Sequence, residues 1–173
     1  MVVMVVVLLN LQLLQVFDSW AGELSPDDFA EFALPPLQHI ATSVRARLAE
    51  SHLPAVPLIL FAKGANAPVS LAAVAAAGYD VLGLDWCVVP EDARRAAPNK
   101  ALQGNLDPTK LYGGRGTIED SVRRMCATFR AGASPPKGWI ANLGHGITPG
   151  VDPEDLRWFF ECVHKYSAHG VMP

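Results

Sequence analysis

The feature that most limits what this chain can fold into is an alternation. A short apolar run, a loop carrying polar residues or glycine, and a helical stretch recur in that order along the sequence. Leu14-Gln15-Val16-Phe17 is the first strand candidate, with Asp18-Ser19-Trp20-Ala21-Gly22 as its loop. A helix starts at Ser25-Pro26, a cap residue followed by proline at the first helical position. A break is expected at Pro35-Pro36, after which Ile40, Val44 and Leu48 recur on one helical face. The second unit pairs Val56-Pro57-Leu58-Ile59-Leu60-Phe61 with a loop at Lys63-Gly64 and a helix over 69–77 stopped by Gly78. Asp80 to Asp85 opens the third, with a helix from about Pro90 to Ala97. Ala101 to Asn105 opens the fourth, with a turn at Leu106-Asp107-Pro108 and a helix over 118–130. Trp139 to Leu143 opens the fifth; Asp152 then caps a helix from Pro153 to about His164. No hairpin signal intervenes, and repeated right-handed crossovers imply a parallel sheet. A closed (β/α)8 barrel takes eight strands and typically ~250 residues. The expectation is therefore an α/β fold, a partial (β/α)8 TIM barrel of about five C-terminal βα units. Residues 14–167 form it, residues 1–13 are an atypical apolar N-terminus, and residues 168–173 are a tail.

The balance of residues narrows the function classes. Half the chain is apolar and 18% is charged, which excludes a disordered chain. A net charge of −3 offers no general attraction to nucleic acid or to an anionic membrane. Cys87, Cys126 and Cys162 are far apart and in no metal-ligand spacing, so they read as reduced intracellular thiols. Met1 to Leu9 is wholly apolar, but no basic residue precedes it and no cleavage site follows. It is also short for a bilayer span, so it reads as a buried helix or strand.

Polar groups collect at the strand ends: Asp18 and Ser19, Lys63, Asp85, Asn105 and Asp107, Asn142 and His145. On a barrel they converge on the C-terminal face, where such folds place their chemistry. Each also has a structural reading. Asp18 and Asp85 can cap turns, Asn105 and Asp107 can build the turn before Pro108, Ser19 can be an N-cap, and Lys63 can be a surface lysine with a buried stem. His145, held between Gly144 and Gly146 where a strand ends and a helix is about to begin, can be a turn cap or a ligand-facing group. Together these residues predict a polar pocket. The arginines fall in expected helices, except Arg115, which is expected in a loop. Gly113-Gly114-Arg115-Gly116 follows Tyr112 rather than a strand, so it lacks the context of a phosphate loop.

Five segments carry a resemblance. Gln15-Val16-Phe17-Asp18-Ser19-Trp20-Ala21-Gly22, Ile59-Leu60-Phe61-Ala62-Lys63-Gly64, Gly83-Leu84-Asp85-Trp86, Leu102-Gln103-Gly104-Asn105-Leu106-Asp107-Pro108 and Asn142-Leu143-Gly144-His145-Gly146 resemble uroporphyrinogen decarboxylase, in the family's order and spacing. The resemblance runs from about Leu14 to Ser167 and corresponds to the C-terminal part of the enzyme.

It implies a (β/α)8 barrel acting as a cytoplasmic homodimer. The implied substrate is the tetrapyrrole uroporphyrinogen III, and the product is coproporphyrinogen III, formed by four acetate decarboxylations in haem (porphyrin) biosynthesis. It implies no metal and no organic cofactor, because the substrate's own pyrrole serves as electron sink. By motif, Ser19 matches a serine contacting a substrate carboxylate, His145 matches the active-site histidine, and Phe17 matches an apolar residue of the cleft. The family's arginine-bearing motif, pyrrole-binding aspartate and active-site tyrosine have no counterpart in these 173 residues. A second expectation follows: a catalytically inactive truncated fragment or pseudoenzyme that associates with full-length enzyme. A zinc-dependent methyltransferase of related fold ranks last, since the three cysteines lack a ligand pattern.

Overall fold

The computed structural model describes residues 12–130 and 138–167. The apolar run Met1 to Leu9 and the tail 168–173 lie outside the described residues. Strands β1 (Leu14–Asp18), β2 (Leu58–Ala62), β3 (Val81–Gly83), β4 (Ala101–Leu106) and β5 (Trp139–Leu143) form one sheet in chain order. Every neighbouring pair is parallel. Helices α1 (Pro26–Asp28), α2 (Leu34–Glu50), α3 (Pro68–Ala75), α4 (Pro90–Ala96), α5 (Gly114–Arg130) and α6 (Pro153–Ser167) connect and follow the strands. This is the expected run of five βα units, an open portion of a (β/α)8 barrel.

Strand alternation divides the sheet into two faces. Leu58, Leu60, Leu82, Leu102 and Leu143 join Leu71, Val74, Ile118, Val122 and Phe159 of the helices in one core cluster. The opposite face carries Phe17, Phe61, Gly83, Gln103 and Ile140, which lie side by side in register. Phe17 is 60% exposed there and Ile140 40%, because nothing among the described residues covers that face. At the fifth strand, Phe129 of α5 stacks on Trp139 with centroids 4.8 Å apart.

The sheet is curled. In a flat sheet β2 and β5 would lie about 14 Å apart, three strand spacings. Yet the His145 ring, just past β5, sits 6.3 Å from the Phe61 ring of β2. The strand ends thus gather on the concave side, as a barrel requires.

Three local expectations need correction. Pro35-Pro36 does not break the helix. A π-helical segment, Phe29–Ala33, leads into α2, and the Leu34 N–H donates to Phe29 O. Both prolines then occupy the first turn, where their missing N–H groups have no intrahelical partner to lose. The fourth helix begins at Gly114 rather than Ile118, and a 3-10 turn, Pro108–Gly113, feeds it. Arg115 therefore lies in the first turn of α5, not in a loop; its guanidinium packs 5.3 Å from the Trp158 ring centroid. β3 is also shorter than expected, and Asp80 and Asp85 beyond its two ends are engaged in side-chain hydrogen bonds.

Asp80 ties the N-terminal end of the sheet to α2. Its Oδ2 accepts from Leu58 N at 2.8 Å and from Arg45 Nη2 at 2.8 Å. Burial alone would raise its pKa, but the Leu58 amide and the Arg45 guanidinium outweigh burial and hold it below the ordinary carboxylate range. Stability from a depressed carboxyl is present above its unfolded pKa, ~3.9, and is lost as pH falls through the folded value. Asp80→Asn is expected to cost about 1 kcal/mol at neutral pH, since the pair is partly exposed and screened. The difference from wild type is expected to shrink as pH falls through and below the ordinary carboxylate range, as checked by urea denaturation at neutral and acid pH. No helix among the described residues is long and apolar enough to cross a membrane.

Candidate active site

His145 is placed by backbone contacts that only a glycine allows. Gly144 N donates to Leu106 O at 2.7 Å, holding the end of β5 against β4. A Cβ on Gly144 would lie 2.4 Å from Trp86 N, so the chain passes directly over the β3–α4 loop. The His145 ring then meets Trp86 at 5.8 Å and Phe61 at 6.3 Å, both edge-on. Phe61 in turn meets Phe17 at 6.0 Å. Gly146 N donates to His145 Nδ1 at 2.7 Å, so the neutral ring carries its proton on Nε2.

The loop beyond His145 is clamped from the 3-10 turn. The Tyr112 hydroxyl lies 2.7 Å from Thr148 Oγ1 and donates to Pro149 O at 2.9 Å. Tyr112→Phe removes both bonds at an exposed position. The amides of Gly146, Ile147, Thr148 and Gly150 are expected to exchange about tenfold faster while global stability changes by roughly 1 kcal/mol or less. Hydrogen-exchange mass spectrometry on the peptide around His145 reads this directly.

Ser19 lies in the turn after β1, exposed, and its hydroxyl makes no hydrogen bond among the described residues. Its loop is locked to the next one. Lys63 N donates to Asp18 O at 2.9 Å and Gly22 N donates to Lys63 O at 2.8 Å. Gly22 and Gly64 touch backbone to backbone: a Cβ on Gly22 would sit 2.5 Å from Gly64 Cα. Ser19 and His145 thus share the C-terminal edge of the sheet, without a hydrogen bond between them among the described residues.

The other strand-end polar groups separate into two kinds. Asp85 is 4% exposed, and its carboxylate accepts from Gly64 N, Cys87 N and Asn66 Nδ2 at 2.7, 2.8 and 3.2 Å. Asn105 donates to Asp85 O and Val88 O, both at 2.8 Å. Asp107 Oδ1 accepts from Thr109 N and Oγ1. Asp18 caps Trp20 N. These four hold loops in place; Asn105 does so for the β3–α4 loop rather than for the turn before Pro108 expected of it. Ser19, Asn142 and His145 are exposed and Lys63 is half-buried. Sequence reasoning did not single out Phe61 and Trp86 as site walls. The signal was available in Phe61, which falls opposite Phe17 when β1 and β2 are aligned.

A cleft of about 430 Å³ lies nearby, lined in part by Cys87, Asn105, Lys110, Ser121 and Arg124, but neither Ser19 nor His145 borders it. Every arginine is helical, so none comes from a strand end. Cys126 and Cys162 are buried, and burial pushes both thiols up. Among the described residues no three His, Cys, Asp or Glu side chains are grouped to hold a metal ion.

The family model described as uroporphyrinogen decarboxylase matches residues 5–166. Uroporphyrinogen decarboxylase of Schizosaccharomyces pombe is 49% identical over 159 residues, covering 91% of this chain and 43% of the relative. The Homo sapiens protein of the same name is 45% identical over 157 residues, covering 90% and 41%. The Salinibacter ruber protein is 46% identical over 159 residues, covering 91% and 42%. The chain thus spans less than half the length of these curated relatives. Among solved structures, a methyltransferase from Methanosarcina mazei superposes with a TM-score of 0.70 at 20% identity, covering 92% of this chain and 43% of that one. At that identity the likeness is one of fold. The match over residues 5–166, with the strand-end motifs inside it, shows that this chain belongs to the uroporphyrinogen decarboxylase family.

Proposed function

We propose that this chain supplies the His145 side of an active site that decarboxylates uroporphyrinogen III to coproporphyrinogen III. The observation that carries the reading is the His145 ring set between Phe61 and Trp86 on the strand-end edge, within a family match that covers most of the chain. The reaction breaks the bond between each acetate methylene and its carboxylate. Protonation of the adjoining pyrrole creates an iminium-like centre, and that centre accepts the electron pair left by carbon dioxide. A proton then replaces the lost group, leaving a methyl. Because the substrate provides its own electron sink, the chemistry calls for no organic cofactor or metal. The protein positions the ring, supplies protons and stabilises charge.

In this reading His145 holds a proton at Nε2 against a substrate carboxylate, its Nδ1 being occupied by the Gly146 amide. Ser19 donates its hydroxyl to a second carboxylate. Phe17, Phe61 and Trp86 exclude water from the reacting face. We further infer that the protein works in the cytoplasm as a homodimer, with the tetrapyrrole as its small-molecule partner and no nucleic-acid or membrane partner.

The test joins this chain to the preceding portion of the Schizosaccharomyces pombe relative and assays product anaerobically by chromatography. Ser19→Ala and His145→Asn are each expected to lower kcat/KM by about tenfold to a hundredfold, the loss of one hydrogen bond to a charged group. Unchanged kinetics in both variants would return the two residues to structural roles.

A further inference from the structure

We propose that Lys63 is a further binding residue of the same site, pairing its ammonium with a substrate carboxylate. This rests on the function proposed above and adds a residue that the motif comparison does not assign. Ile59 and Phe61 of β2 lie on the face opposite the helices, and Lys63 comes two residues further along the chain. Its Nζ lies 6.0 Å from the Trp86 ring centroid, and Trp86 is the ring that meets His145. The ammonium therefore lies near the same indole that the His145 ring meets, on a half-buried residue.

The backbone beneath it is fixed from both sides, by Asp18 O on the Lys63 N–H and by Gly22 N on the Lys63 carbonyl. Those bonds also bring the Ser19 turn alongside, so a hydroxyl and an ammonium sit on two interlocked loops. Among the described residues nothing uses up the charge. The Asp85 carboxylate is taken by three N–H donors and Asp18 by Trp20 N. Lys63 forms no salt bridge and no side-chain hydrogen bond among the described residues. The other described lysines are engaged or placed elsewhere. Lys100 donates to Tyr79 O, Lys165 pairs with Glu119, and Lys110 lies in the 3-10 turn beside the separate cleft. With every arginine in a helix and Lys110 beside the separate cleft, Lys63 is the basic side chain that the strand ends around His145 offer to a polyanion among the described residues.

The test uses the chain joined to the preceding portion of the Schizosaccharomyces pombe relative. It measures calorimetric binding of uroporphyrin I, the stable oxidised eight-carboxylate macrocycle, at two salt concentrations. Lys63→Met and Lys63→Gln are each expected to weaken binding about tenfold and to flatten its salt dependence, while Lys63→Arg stays within about threefold. Thermal unfolding unchanged in at least one neutral variant separates this from a folding defect. If wild type binds and both neutral variants bind equally well with the same salt dependence, Lys63 has no such role and the proposed function stands. If wild type shows no saturable binding, the proposed function fails and this inference falls with it.

Discussion

Gly144→Ala is expected to dismantle the His145 edge. The new methyl carbon would lie 2.4 Å from Trp86 N and 2.9 Å from Trp86 Cα, inside any permitted contact and against backbone rather than a movable side chain. Relief requires β5 to draw back from the β3–α4 loop. That motion breaks the Gly144 N to Leu106 O bond and takes His145 off Trp86. Overpacking a well-filled site costs typically about 1–3 kcal/mol, and a clash with backbone puts this case at about 3 kcal/mol or more. Gly146→Ala is the control, since its methyl meets nothing within 4 Å and the change is expected to stay within about 1 kcal/mol. Denaturant unfolding of the two variants side by side checks the contrast; equal, small effects would show that β5 does not press on Trp86 as described.

A polypeptide of these 173 residues made on its own is expected to self-associate and to form no measurable coproporphyrinogen. β1 and β5 each pair on one side only among the described residues, leaving two parallel strand edges open to other chains. Phe17, Trp86 and Ile140 are 60, 40 and 40% exposed on or beside the uncovered face. Together they leave on the order of 300 Å² of apolar surface in water, worth about 7 kcal/mol at ~25 cal/mol per Å². That is comparable to the whole stability of an ordinary domain. The site itself is open on one side, so water reaches the pocket and the electrostatic help that a closed site gives would be weak. Sizing chromatography with an anaerobic product assay reads both halves; a monomer that turns over uroporphyrinogen would contradict the expectation.

The repeating architecture was legible because each strand is a short apolar run closed by a polar or glycine-bearing loop, and β5 follows Trp139 to Leu143 residue for residue. Helix boundaries were less so. Proline is a reliable breaker inside a helix but not in its first turn, and the π-helical step that put Pro35 and Pro36 there has no signature in residue type. Arg115 looked like a loop residue among glycines, yet the Trp158 ring across α6 gives it a helical seat that depends on tertiary packing. Ser19 and His145 were singled out by motif, and the division of the remaining polar groups came only from geometry. Asp85 and Lys63 look alike in sequence as strand-end charges. One is buried under three donors and the other has no ion-pair partner among the described residues, a difference set by loops from separate units.

The central claim is that the strand-end edge around His145 is where the porphyrinogen sits. Nitrogen-15 NMR of the histidine rings in the chain joined to the Schizosaccharomyces pombe portion, titrated with uroporphyrin I, addresses it without relying on turnover. His39 and His52, on and just after α2, and His164 on α6 serve as internal references remote from the edge. The account predicts a saturable shift at His145 Nε2 with the three reference rings unmoved. Saturable binding that shifts the reference rings and leaves His145 unchanged would contradict it.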